Sequence, residues 1–322
     1  VGSVLIRLHS LGDVVLAEPA ARYLAGSGRV SFAVREAYAP VVERMGLGVE
    51  PMVLPDGTGA LRLRRLLREA APDVVADLQG NLTTMAALWP RRSLRYVPDR
   101  RRRGRILRGS GERLAYRAEE FLRLVGGEGS AMPHLRRFEE PEGGRPAAGL
   151  VAGGRWRSKS IPADVLAETS RRLVDLLGMD VYVLGAESDR GIAEETARRA
   201  LRPQVVPVAG EGGVERLIRR IESLDVLVSP DSGPAHLAAA LGVPVVVVFT
   251  STHPRLGFWP EDLPTAVSSG ELECRPCHRH GGDSCPRGGW ECREGLMPGD
   301  IVGAVRWTLD QPGEEADPCP PR

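Results

Sequence analysis

Lysine is almost missing from this chain. Of 43 basic residues one is a lysine, Lys159, and the others are arginine. Such a bias follows from a GC-rich genome that drifts lysine codons towards arginine. A position that keeps lysine under that drift points to a need for a compact ammonium in place of a planar guanidinium, with survival by chance as the alternative. An excess of charge of either sign is missing as well. The formal net charge is +1, and no RNA- or DNA-reading motif is present, which excludes a dedicated nucleic-acid binder. Apolar runs of membrane-spanning length are absent too: stretches such as residues 243–249 fall far short of the roughly 20 residues a spanning helix needs. With no signal-peptide pattern, the chain reads as cytoplasmic. There is no repeat of solenoid period and no long low-complexity tract.

What the 322 residues do contain is an alternation of short apolar runs with amphipathic stretches. The length exceeds a comfortable single core, so two domains are expected. Strands are predicted at residues 4–8, 30–34, 49–54, 74–77 and 94–97, with helices at 14–25 and 61–70. A second series predicts strands at 148–152, 181–184, 205–208, 226–229 and 245–249, with helices at 163–177, 192–200 and 214–223. Runs this apolar suit parallel strands covered on both faces. The Pro/Gly/Glu-rich stretch at 138–149 is the best linker, and the tail from 311 to 322 reads as frayed. Two doubly wound α/β domains are therefore expected, facing a central cleft near the C-terminal ends of their strands.

Three segments carry candidate chemistry. After the first predicted strand, Ser10-Leu11-Gly12-Asp13 places Gly12 and Asp13 at a helix start. Asp13 is there either an N-cap or a carboxylate aimed at a substrate hydroxyl; a free aspartate, with a pKa of about 3.9, is ionised at neutral pH. Near residue 230, Asp231-Ser232-Gly233-Pro234-Ala235-His236 follows a strand and opens an apolar helix, an arrangement suited to a diphosphate. Finally, Gly153-Gly154 and Lys159 share one strand-to-helix loop, where a phosphate fits and a solvated surface loop is the plainer reading.

Ser10-Leu11-Gly12-Asp13, Asp77-Leu78-Gln79-Gly80, Lys159 before Ile161-Pro162, and Asp231 through His236 stand in that order from residue 4 to about residue 309. Together they resemble glycosyltransferase family 9, the ADP-heptose:lipopolysaccharide heptosyltransferases. The resemblance implies a GT-B fold, with an acceptor-binding domain over 1–140 and a nucleotide-sugar-binding domain over 147–310. It implies inverting transfer of a heptose from ADP-heptose to an inner-core hydroxyl, with Asp13 as general base. Lys159, Asp231, Ser232, Gly233 and His236 would hold the diphosphate and nearby sugar, and Glu187 the nucleoside. Ser10, Gly12 and Gln79 would face the cleft from the acceptor side. No Asp-x-Asp segment occupies the cleft-forming positions, so no cofactor is expected for catalysis. Gly153-Gly154 departs from the family, where donor-binding hydroxyls are usual; this leaves open a related transferase with another nucleotide-sugar or acceptor. A non-catalytic nucleotide-sugar binder and an epimerase are the other readings.

Four of five cysteines cluster as Cys274-x2-Cys277-x7-Cys285-x6-Cys292. Tight clustering in a cytosolic chain favours a structural zinc or an iron–sulfur centre, with His278 and His280 as substitute ligands, or else plain reduced thiols. Cys319 in the tail has no expected role. Residues 91–108 carry nine arginines. The plainer reading is a solvated loop. The implied acceptor is an acidic lipid-linked core, so contact with that acceptor or with the anionic inner membrane is expected of this stretch.

Overall fold

The structure, a computed structural model, describes residues 2–138, 144–210, 212–260 and 265–311. The core of the expected linker (139–143) and the tail beyond 311, with Cys319, lie outside the described residues.

The chain forms two compact units. In the first, β1 (Ser3–Ile6), β2 (Val30–Arg35), β3 (Val49–Leu54), β4 (Val74–Asp77) and β5 (Leu94–Arg95) make a parallel sheet in the order β3-β2-β1-β4-β5. Its helices are α1 (Leu11–Val15), α2 (Glu18–Ala25), α3 (Ala39–Glu43), α4 (Ala60–Ala70), α5 (Leu82–Leu88), α6 (Arg100–Ile106) and α7 (Arg117–Leu124). In the second unit, β6 (Ala147–Val151), β7 (Asp180–Leu184), β8 (Val205–Pro207), β9 (Val226–Pro230), β10 (Val245–Phe249) and β11 (Ala266–Ser268) are ordered β11-β10-β9-β6-β7-β8, again parallel. The later helices are α8 (Ala163–Leu177), α9 (Arg190–Ala200), α10 (Gly213–Glu222), α11 (Gly233–Ala240), α12 (Glu291–Glu294) and α13 (Pro298–Asp310). Each unit is a Rossmann-like sheet flanked by helices, which is the GT-B type of fold.

The strands are legible because the central ones are buried on both faces. Every residue of β1, β9 and β10 is buried, so their sequences (SVLI, VLVSP, VVVVF) show apolar runs instead of alternation. Register follows: β1 pairs with β2 and β4 through Ser3↔Val30 and Ser3↔Val74, which brings the loops after all three strands to the same sheet edge. The core of the second unit is built from Ala148, Leu150, Val181, Val183, Val226, Val228, Val246 and Val248 against α8, α9 and α13.

Two expectations are corrected in detail. The helix predicted over 14–25 is two helices, α1 and α2, with Pro19 in the first turn of the second. Proline fits there because it has no amide hydrogen to contribute. The short edge strand β11 is also an addition: its three residues leave no periodic signal. Among the described residues, no helix is long and apolar enough to cross a membrane.

Candidate active site

Asp13 lies in the third position of α1 and is buried, with 7% of its surface exposed. It is not a capping residue. Its Oδ2 accepts a hydrogen bond from the Arg7 guanidinium at the end of β1, and Arg117 Nη1 approaches Oδ1 at 3.6 Å. Arg7 also donates to the Leu78 carbonyl at 2.9 Å, tying the loop after β4 to the same group. Arg117 is itself buried, stacked near the rings of Tyr96 (4.9 Å), Phe258 (5.1 Å) and Phe121 (5.7 Å). Its Nε lies 3.3 Å from Glu120 Oε2, which accepts from the Tyr96 hydroxyl at 2.9 Å. Two guanidinium groups held this firmly fix the carboxylate's orientation.

The turn ahead of Asp13 is built by Gln79 and strained at Ser10. Gln79 Oε1 accepts from the amides of Leu8 (3.0 Å) and His9 (3.2 Å). Gln79 is itself placed by Asp77, fully buried, which accepts from the amides of Gln79 and Gly80 and from Thr84 Oγ1. Gly80 has φ 59°, and a Cβ there would stand 3.0 Å from the Tyr96 carbonyl oxygen. Ser10 has φ 74°, which is uncommon for a residue with a side chain and leaves it exposed just before α1. Gly12 is buried within α1. Partial burial, then the charges of Arg35 and Arg7, hold the His9 imidazole below its usual range, so it is neutral at neutral pH.

The second unit carries the other half of the predicted residues. Lys159 ends a short turn (Arg157–Lys159) after β6, and its Nζ lies 2.9 Å from Asp231 Oδ2 at the end of β9. Thr252 Oγ1 donates to the same carboxylate oxygen at 2.8 Å. Burial by itself would raise the Asp231 pKa. The Lys159 ammonium, His236 and the two hydrogen bonds outweigh it and hold the carboxyl below the usual carboxylate range. Ser232 occupies the N-cap position of α11 but does not cap it; its Oγ turns to Ser229 Oγ at 3.0 Å. The helix start, with Gly233 and Pro234 in its first turn and His236 buried one turn in, keeps its positive dipole end beside the Lys159–Asp231 pair.

The depressed Asp231 pKa carries a sign. As pH falls, the unfolded chain takes up the proton first, so the contribution of this group is fully present above about pH 4 and is lost as pH falls through the folded value. Urea midpoints measured between pH 7 and pH 3 should drop more steeply below pH 4 for the native chain than for Asp231→Asn. The extra slope is at most about 1.4 kcal/mol per pH unit, one proton's worth.

Several partners in this half were invisible in the sequence. Ser158 Oγ accepts from Ser251 Oγ and from the Gly282 amide, both at 2.8 Å, while Thr250 Oγ1 donates to the Ser158 carbonyl at 2.7 Å. Gly281, at φ 99°, packs on Trp156 and on the Lys159 stem; a Cβ there would meet Lys159 Cγ at 2.9 Å. The segment between Cys277 and Cys285 thus covers the Lys159 turn. Gly153 also has a local reason: a Cβ would overlap Asp189 Oδ1 at 2.2 Å. Asp189 Oδ2 accepts from the Ala186 amide at 2.9 Å.

Glu187 follows β7 in the short turn Glu187–Asp189, with its side chain 69% exposed and paired to Arg190 at 2.8 Å. Cys274, Cys277, Cys285 and Cys292 are unpaired thiols, Cys292 buried. Burial, then the neighbouring Cys292 and Cys274, pushes the Cys277 thiol up to about 11, and its Sγ reaches the Ser251 carbonyl at 3.8 Å. Among the described residues no group of three or more His, Cys, Asp or Glu side chains is disposed to hold a metal ion.

Comparison with known proteins adds the following. Residues 127–284 match the model of "Glycosyltransferase family 9 (heptosyltransferase)". A family 9 glycosyl transferase from Veillonella parvula is similar in structure, with a TM-score of 0.73 at 17% identity over 96% of this chain and 97% of that one. The ADP-heptose lipopolysaccharide heptosyltransferase II of E. coli gives a TM-score of 0.72 at 19% identity, covering 96% of this chain and 98% of the other. An E. coli heptosyltransferase bound to ADP gives 0.64 at 18%, covering 96% and 100%. The comparison with curated proteins finds no match. By the match over residues 127–284, and with both Rossmann-like units in place, the chain is similar to glycosyltransferase family 9, the heptosyltransferase family.

Proposed function

We propose that this chain is an inverting glycosyltransferase that moves a heptose from ADP-heptose to a hydroxyl of the lipopolysaccharide inner core, an acidic lipid-linked acceptor. The observation that carries the reading is the largely buried Lys159–Asp231 pair beside the start of α11, which Ser232 leaves without a side-chain cap. A diphosphate is the ligand such a helix start and ammonium suit. Glu187 is assigned to the nucleoside, and His236 with Gly233 to the phosphates. Solved relatives named as heptosyltransferases, one carrying ADP, support the choice of donor.

In this mechanism Asp13 takes the proton of the acceptor hydroxyl as its oxygen bonds to the anomeric carbon. The bond from that carbon to the diphosphate oxygen breaks, and ADP leaves with the electron pair. Charge grows on the leaving group, where Lys159 and the first-turn amides of α11 receive it. Arg7 and Arg117 keep Asp13 aimed, and Gln79 shapes the Ser10 turn ahead of it.

Thermal unfolding with ADP-heptose, UDP-sugars and GDP-sugars tests the donor. ADP-heptose at about 100 times its Kd should add about 2.7 kcal/mol of stability, and the others little. Stabilisation by a UDP- or GDP-sugar alone would replace the heptose reading with the related transferase left open by Gly153-Gly154.

A further inference from the structure

α5 carries apolar side chains on its outward face as well as on its buried one. Its buried positions are Thr84, Ala87 and Leu88, while Leu82, Met85 and Trp89, spaced three and four residues apart, face outwards. They are 83%, 43% and 76% exposed. No charged residue lies in Leu82–Leu88, so the outward face is apolar where a helix in water would be polar. Met85 and Val97, the latter 77% exposed, line one depression of about 430 Å³ together with Arg95, Arg100 and Arg101. Through Met85, the apolar face of α5 adjoins the arginine-rich stretch.

The charge on that surface is largely uncompensated. Arg91, Arg92, Arg100, Arg101, Arg102, Arg105 and Arg108 are all exposed. Glu112 is spent on Arg102 and Arg105, and Asp99 accepts from the Arg102 amide as the cap of α6. Among the described residues Arg92, Arg100, Arg101 and Arg108 form no ion pair.

We propose that the outward face of α5, with Val97 and the arginines of residues 91–108, docks this protein on an anionic lipid bilayer. Leu82, Met85 and Trp89 enter the headgroup boundary while the guanidinium groups take the lipid phosphates. Charge complementarity selects this occupant. The surface asks for a partner that is apolar and densely anionic at once, which a bilayer interface is and a soluble sugar acceptor is not. Tryptophan at the rim suits the same depth. The inference deepens the lipid-linked acceptor of the proposed function, but it is tested without donor or acceptor, so the two readings fail separately.

Sedimentation of the full chain with phosphatidylcholine vesicles, with and without phosphatidylglycerol, is the experiment. Binding should require the anionic lipid and weaken as salt rises. Arg100→Ser with Arg101→Ser should weaken it about 30-fold, from ~1 kcal/mol per basic residue. Leu82→Ser with Trp89→Ser should weaken it tenfold or more; all four side chains are exposed, and an unchanged melting temperature checks that the variants fold. Three results overturn the proposal. Neutral vesicles bind as well as anionic ones; the Leu82/Trp89 variant binds unchanged, leaving electrostatic adsorption alone; or vesicles do not bind and the same face drives concentration-dependent self-association.

Discussion

An Asp13→Asn chain should lose turnover by about 10²–10⁴-fold while binding the sugar donor as the native chain does. The range is what a positioned general base contributes. Asparagine keeps the size of the side chain and its Oδ1, so the packing around a 7%-exposed residue survives. What it loses is the ability to take a proton, together with the charge that Arg7 and Arg117 pair with, so some stability is lost alongside turnover. Transfer assays give kcat, and donor titration of both chains gives Kd. Unchanged turnover would sink the base assignment, while loss of donor binding would show that Asp13 works through the fold. Arg117 gives an internal check, since its Nη1 lies 3.6 Å from Asp13 Oδ1 and its ring contacts hold it in place. Arg117→Met should lower kcat with little change in donor affinity, and should also lower stability, because it frees the aim of the carboxylate and removes a charge partner of buried Asp13 and of Glu120.

The second large effect belongs to Lys159. Replacing it with methionine should destabilise the second unit by about 3–5 kcal/mol, the usual cost of removing one partner of a buried ion pair. The two side chains are 16% and 6% exposed, so water replaces little of the lost ammonium. Adding Asp231→Asn to the Lys159→Met chain should restore most of that stability, because the neutral amide needs no cation. Urea denaturation of the four chains of this cycle measures the coupling. Donor affinity should fall by tenfold or more in Lys159→Met and should not return in the double variant, because under the proposed function the phosphate loses its donor in both. Arginine is not a substitute. Gly281 packs against the Lys159 stem, and the planar fork is wider than the ammonium it would replace. Lys159→Arg should therefore fail to recover native donor affinity, the outcome that the near-absence of lysine from the sequence points to.

Much of the fold was legible because central parallel strands are buried on both faces and declare themselves as apolar runs. The strands expected at 245–249 and 49–54 match the structure residue for residue, and so does α8 with its long amphipathic period. Missed elements are those whose stability is not written locally. The three-residue β11 gains its place from pairing with β10 through Val247↔Ala266, and α6 hides in a stretch whose dominant arginines suit a charged loop equally well. The break between α1 and α2 was hidden by apolar residues running through it.

The sequence by itself determined the class of fold and the singular status of Lys159, since each rests on periodicity or composition. Only the tertiary structure decided which group the lone lysine pairs with: Asp231, some 70 residues away in the chain, with Thr252 and His236 around the same carboxylate. It likewise decided that Asp13 is gripped by Arg7 and Arg117 instead of capping its helix, and that the cysteine-rich segment lies on the Lys159 turn. The physical reason is the same in each case. Burying a charge requires a partner, and the partner is supplied by whichever strand or loop the sheet order brings alongside, which no local spacing encodes.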